Sequence, residues 1–198
     1  MQKDKEGFLY PLVNETECID CGLCSKSCPW LTKKDTINKQ PLVYAAKLKD
    51  NNIRKDSTSG GLFSAFANYL ISKGGIIYGA AYNAQDKRVE HISAQSFEEL
   101  SRIRGSKYVQ SYLGDTFFKI KEALKKDQKV LFTGTPCQCA GLKSYLKKDF
   151  ENLYIIDINE CPHVPKLAKF KPPRCPIGVY WNTLCLMRDV WTIKTYMI

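Results

Sequence analysis

The chain has 198 residues, of which 44% are hydrophobic and 25% charged, and 30 Lys and Arg against 20 Asp and Glu give a formal charge of +10. That composition excludes a disordered tail, and the length allows one full core plus a small appendage. No apolar run reaches the roughly 18 residues of a membrane-spanning helix, and the basic surplus is scattered in pairs such as Lys33-Lys34 and Lys147-Lys148 without a nucleic-acid recognition pattern, so neither a membrane span nor a nucleic-acid partner is expected.

The first residues are charged, Met1 to Gly7, which argues against a secretory signal. With nine cysteines in the chain, this points to a reducing cytoplasm, where thiols stay available as ligands. The apolar stretch 7–13 predicts a short strand, and behind it come Cys18, Cys21, Cys24 and Cys28, followed by Pro29. Thiols spaced by two, two and three residues with a closing proline form the bacterial ferredoxin pattern for an iron-sulfur cluster. Thiolates two residues apart on a tight loop reach corners of one cubane, and Gly22 lends that loop backbone freedom. A tetrahedral zinc site is the alternative, although zinc usually draws its Cys pairs from two separate loops. A 4Fe-4S cluster on Cys18, Cys21, Cys24 and Cys28 is the expectation.

Residues 31–41 are polar and end in Gln40-Pro41, which predicts a linker. Beyond it the pattern becomes α/β, with a strand at 42–47, a polar turn over 54–61, a helix carrying Leu62, Phe63, Phe66, Ala67 and Leu70, and a strand at 76–82. A further strand is predicted at 88–94, and Ser96 with Glu99 marks a capping box for a short helix. Helix 115–126 follows, and then a strand at 129–132, a helix at 136–147 and a strand at 153–158 compose a βαβ unit with a parallel strand pair. The expected division is a ferredoxin-like cluster domain over 1–40, an α/β body with a mixed sheet over 41–158, and a divergent tail over 159–198.

Three glycine-bearing loops stand out: 57–61, 104–110 and 133–138. The first and third lead into helix N-termini, which favour phosphate, and Arg104 and Lys107 in the second add positive charge. None matches a G-x-G-x-x-G or P-loop pattern, and a Gly-Ser cap is commonly only a cap. Their recurrence in one body points to a nucleotide-containing cofactor. Cys137 and Cys139 are open to a redox reading and to one as plain packed thiols. Of the two histidines, His91 reads as a sheet residue, and neither it nor His163 suggests a catalytic pair.

The cysteine run with Ser57-Thr-Ser-Gly-Gly-Leu-Phe63, Gly74-Gly-Ile-Ile-Tyr-Gly-Ala80, Arg104-Gly-Ser-Lys-Tyr-Val-Gln-Ser111 and Leu131-Phe-Thr-Gly-Thr-Pro-Cys-Gln138 resembles the beta-subunit family of coenzyme F420 hydrogenases and dehydrogenases. The resemblance covers about residues 6–158. It implies an oxidoreductase subunit, an iron-sulfur flavoprotein in which FAD exchanges electrons between a 4Fe-4S cluster and a deazaflavin or other acceptor, working with a ferredoxin or dehydrogenase subunit. On that likeness Ser59, Gly60, Gly61, Arg104, Ser106, Lys107, Thr133, Gly134 and Thr135 would contact the flavin or its phosphates.

Two departures accompany it. The family usually carries a further cysteine motif upstream of the place where this chain begins, so Cys28 either closes this cluster or serves another. After Ile158 the family continues with Cys-His-Gly-Val-Pro and a long C-terminal domain, whereas this chain reads Asn159-Glu-Cys-Pro-His-Val-Pro165 and then loses the likeness. The expectation is a chain truncated at both ends, with Cys161, Cys175 and Cys185 unassigned. The alternatives are a non-enzymatic electron carrier that has lost its flavin site and a structural zinc module.

Overall fold

Strand β5, Val130–Gly134, is buried along its whole length and sits inside the sheet. Such a strand must be apolar on both faces, and the sequence Val-Leu-Phe-Thr-Gly meets that need. The structure, a computed structural model, describes residues 2–3, 5, 9–28, 31, 46–57 and 60–158. A small antiparallel pair, β1 (Gln2–Lys3) and β2 (Leu9–Tyr10), precedes the short helix α1 (Leu23–Ser27). In the body, α2 (Asn51–Lys55) and α3 (Leu62–Ile71) lead to a hairpin of β3 (Ile76–Asn83) and β4 (Arg88–Ala94). Helices α4 (Phe97–Ile103) and α5 (Thr116–Lys125) follow, then β5, helix α6 (Pro136–Leu146) and β6 (Leu153–Asp157).

The body strands form one mixed sheet in the order β4-β3-β5-β6. Here β3 is antiparallel to β4 and parallel to β5, and β5 is parallel to β6 from Val130↔Leu153 to Gly134↔Asp157. Pro136 at the start of α6 loses no hydrogen bond, because the first helical N–H has no intrahelical acceptor.

Alternation along the strands makes two cores. Ile76, Tyr78, Val130 and Phe132 pack with Ile120 and Leu124 of α5 and with Leu142 and Leu146 of α6. Ile77 and Leu131 pack on the opposite face with Ala67 and Leu70 of α3 and with Leu100 and Ile103 of α4. Each fully buried Phe, Leu or Ile contributes about 2 kcal/mol by removal of apolar surface from water, which is why the helices need only one apolar stripe each.

The α/β architecture and the βαβ unit match the sequence pattern. Two expectations differ. The turn foreseen over 54–61 begins earlier, as helix α2, whose N-cap Asp50 accepts from the backbone N–H groups of Asn52 at 2.8 Å and Ile53 at 3.2 Å. Without an apolar stripe that helix has no period to detect, although Asp50 is a recognisable cap. Of the strand expected over 7–13, the described residues form strand at Leu9–Tyr10 and not over 11–13. The strand expected at 42–47 falls mostly outside the described residues, with Ala46 and Lys47 in no strand. The domain boundary at 40, the tail 159–198, Ser59, Pro29, His163, Cys161, Cys175 and Cys185 also lie outside the described residues. Among the described residues no helix is long and apolar enough to cross a membrane.

Candidate functional site

The cysteine loop is shaped by local hydrogen bonds. Asn14 turns the chain, its carbonyl oxygen accepting from the Cys18 N–H at 2.9 Å and its side chain accepting from the Thr16 hydroxyl at 2.8 Å. Gly22, at φ 65°, occupies the left-handed region that starts α1 without a Cβ clash. Helix α1 carries Cys24, and the Cys28 N–H donates to the Cys24 carbonyl at 3.1 Å as the helix closes. Among the described residues none of the four thiols forms a disulfide, and Cys18, Cys21 and Cys24 are exposed while Cys28 is half-buried. A set of four accessible soft sulfur donors suits an iron-sulfur cluster. Among the described residues no three His, Cys, Asp or Glu side chains are already gathered at metal-binding separation. Gathering of such ligands is coupled to binding of the metal itself.

Next to this loop, α1 lies against α6, whose N-terminus forms one wall of the second candidate region. The β3–β5 ladder ends at Tyr78↔Phe132. Beyond that point β3 pairs only with β4 and β5 only with β6, so the chain leaves the two strands toward opposite sides of the sheet. This is a topological switch point, where open α/β sheets bind ligands beyond the carboxyl ends of their strands.

Three ties hold the region together. The Thr133 hydroxyl donates to the Tyr78 carbonyl at 3.2 Å, where the ladder stops. The Thr133 carbonyl, next along β5, meets Nε2 of His91 at 3.0 Å. Gln138, in the first turn of α6, accepts from the Thr135 N–H at 3.0 Å through Oε1 and donates to the Ser111 hydroxyl at 2.9 Å through Nε2. Ser111, directly after loop 104–110, and loop 133–138 are thereby joined at the head of α6.

The expected flavin contacts fall into two groups. Gly61, at φ 77°, is the N-cap of α3, and Gly60 precedes it, its carbonyl accepting from the Leu48 N–H at 2.7 Å. Arg104 reaches toward this turn, its Nη1 lying 4.0 Å from Asp56, and its buried Nε has no hydrogen-bond partner among the described residues. Gly134 and Thr135 lead into α6, and Ser106 is half-buried on the second loop. Lys107 and Thr133 are committed within the protein. The Lys107 ammonium donates to the carbonyls of Ile103 and Arg104, each at 2.7 Å, so it caps the C-terminal end of α4. Burial lowers its pKa to about 8. Thr133 is buried and uses its hydroxyl on Tyr78.

Of the two thiols left open by sequence, Cys139 is packed under α6 with Sγ 3.5 Å from the Gly134 carbonyl, and burial pushes its pKa far up, which makes it inert. Cys137 is exposed, 3.1 Å from the Thr135 hydroxyl. The ties through Ser111, Gln138 and His91 escaped sequence reading; Ser111 and Gln138 were visible only as polar residues within the quoted loop motifs, and His91 only as a sheet residue.

Residues 43–116 match the family described as coenzyme F420 hydrogenase/dehydrogenase, beta subunit N-term, and residues 11–31 match the 4Fe-4S binding domain. Among solved structures, the chain is similar to one in the F420-reducing NiFe hydrogenase complex from Methanosarcina barkeri, at 26% identity and a TM-score of 0.39. That match covers 47% of this chain and 32% of the other, so the chain spans about a third of that relative's length. A search of curated proteins found no match.

Proposed function

We propose that the chain is an electron-transfer subunit working between a 4Fe-4S cluster and FAD or a deazaflavin-type acceptor, since residues 43–116 match the coenzyme F420 hydrogenase/dehydrogenase beta-subunit family and residues 11–31 match the 4Fe-4S binding domain. The observation that carries this reading is the quartet Cys18, Cys21, Cys24 and Cys28, spaced by two, two and three residues inside the residues that match the 4Fe-4S domain. When bound, the cluster supplies one-electron chemistry and the flavin exchanges electron pairs.

The protein's own part is to hold and orient. Its four thiolates bind iron. The α3 N-terminus at Gly60 and Gly61, together with the under-partnered guanidinium of Arg104, suits a phosphate or pyrophosphate. Gly134, Thr135 and Ser106 lie by the second cradle, where Gln138 fixes the loop, while Thr133 and Lys107 support the strand end and α4. In this reading residues 1–40 are a cluster domain and 41–158 the cofactor-binding body, with 159–198 a divergent tail. The partner is a cytoplasmic redox protein, a ferredoxin or dehydrogenase subunit, drawn to the basic surface.

Anaerobic purification, with iron, acid-labile sulfide, zinc and flavin measured on one sample, tests the reading. Iron and sulfide with flavin are expected. Iron without flavin would leave an electron carrier that lacks the flavin site, and zinc alone would overturn the proposal in favour of a structural zinc module.

A further inference from the structure

His91 sits on β4, yet its ring acts on β5. Its Nε2 lies 3.0 Å from the carbonyl of Thr133, a residue 42 positions away, and the ring stacks on Phe132 with centroids 5.3 Å apart and planes 18° from parallel. A carbonyl can only accept, so Nε2 carries the proton. The other ring nitrogen, Nδ1, is buried and has no hydrogen-bond partner among the described residues. One tautomer therefore serves the Thr133 carbonyl, and it supports the strand end at the place where the β3–β5 ladder stops. Main-chain contacts fix the strand that carries His91, since its N–H donates to the Tyr112 carbonyl at 2.9 Å and the Tyr112 N–H donates to the Val89 carbonyl at 2.8 Å.

We propose that His91 is a positioning residue that holds the turn Thr133-Gly134-Thr135, and with it the head of α6, in the conformation that receives the cofactor. Its link to a cofactor rests on the flavin reading above. The alternative role is packing alone, in which the ring matters only as a plate on Phe132. The two roles separate because a phenyl ring keeps the stack and loses the donor, whereas a glutamine amide keeps a donor at nearly the reach of Nε2 and loses the ring.

The test is amide hydrogen exchange at Gly134, Thr135, Cys137 and Gln138 in flavin-free wild type, His91→Phe and His91→Gln. A net tie of one hydrogen bond predicts exchange on the order of tenfold faster at these amides in His91→Phe, with Ile120 and Leu124 of α5 unaffected and His91→Gln close to wild type. Unchanged exchange in His91→Phe, or equal acceleration in both variants, overturns the proposal. If His91→Phe does not fold, the nitrogen-15 shifts of the wild-type ring decide: a neutral ring protonated on Nε2 at neutral pH supports it, and a proton on Nδ1 overturns it. FAD titration adds the functional arm, with affinity reduced about tenfold in His91→Phe and restored in His91→Gln. A wild-type protein that binds no FAD would sink the flavin reading, while the exchange and ring measurements would still decide the role of His91.

Discussion

At the scale of single residues, Gly79 shows how the switch point is made narrow. A Cβ there would lie 2.5 Å from Cγ2 of Ile103 and 2.7 Å from the Thr133 hydroxyl, one neighbour on each side, both closer than atoms tolerate. Ile103 is buried in the α3/α4 core and the Thr133 hydroxyl is tied to Tyr78, so neither can step aside freely. Gly79→Ala should therefore cost about 2 kcal/mol, as overpacking of a filled core does, read as a lower denaturation midpoint with an unchanged slope in urea. A midpoint equal to wild type would mean that α4 shifts without penalty. His91 gives a second residue-scale prediction, in pH. Burial lowers its pKa from the ordinary 6.5, so the ring is neutral in both folded and unfolded chains above that value. As the pH falls below it, the unfolded chain takes up a proton that the folded one refuses. The stabilising contribution is complete above about pH 6.5 and declines as pH falls toward the lowered folded value. Melting of wild type between pH 5 and 8 should show this decline, and His91→Gln should lose that part of the slope.

Among the elements, α6 and the segment 104–111 are separate in sequence and are tied through the side chain of Gln138. Gln138 uses both ends of its amide, one on Thr135 and one on Ser111. Gln138→Ala removes both at once and should cost about 1 kcal/mol. Limited proteolysis should then cut the 104–112 segment faster, with little change in α5; an unaltered cleavage pattern would mean that the loop is held by other contacts. This element also marks where sequence reading ends. The helix itself was legible because Pro136 marks its start and Leu142 and Leu146 recur on one face, and β5 was legible as an apolar run between turn signals. The bonds of Gln138 to Ser111 and of His91 to Thr133 were not, since they span 27 and 42 residues and no period records a contact between distant segments. The partners of Lys107 were hidden for a related reason: a lysine beside a glycine loop suggests a phosphate, and nothing in the sequence records that its ammonium donates to the carbonyls at the end of α4.

In the molecule as a whole, the cluster loop and the α/β body are held by different forces. Neither core includes any of Cys18, Cys21, Cys24 or Cys28; both are built from the sheet and its four flanking helices. The loop itself buries no residue of α1, and Ile19 and Leu23 are largely exposed, so hydrophobic burial does little to shape it. On the proposed reading, bound iron would add to the local hydrogen bonds as an organiser of residues 18–28, whereas apolar packing organises 60–158. Removing iron with a chelator under anaerobic conditions should bleach the visible absorption and raise amide exchange across 18–28. The melting of the body should move by only a few degrees, because a shift of about 1 kcal/mol is the scale of the lost α1 to α6 contact. Loss of cooperative melting on chelation would show instead that the cluster is part of the body's own fold, and the same redox centre would then report directly on the packing of α6 beneath it.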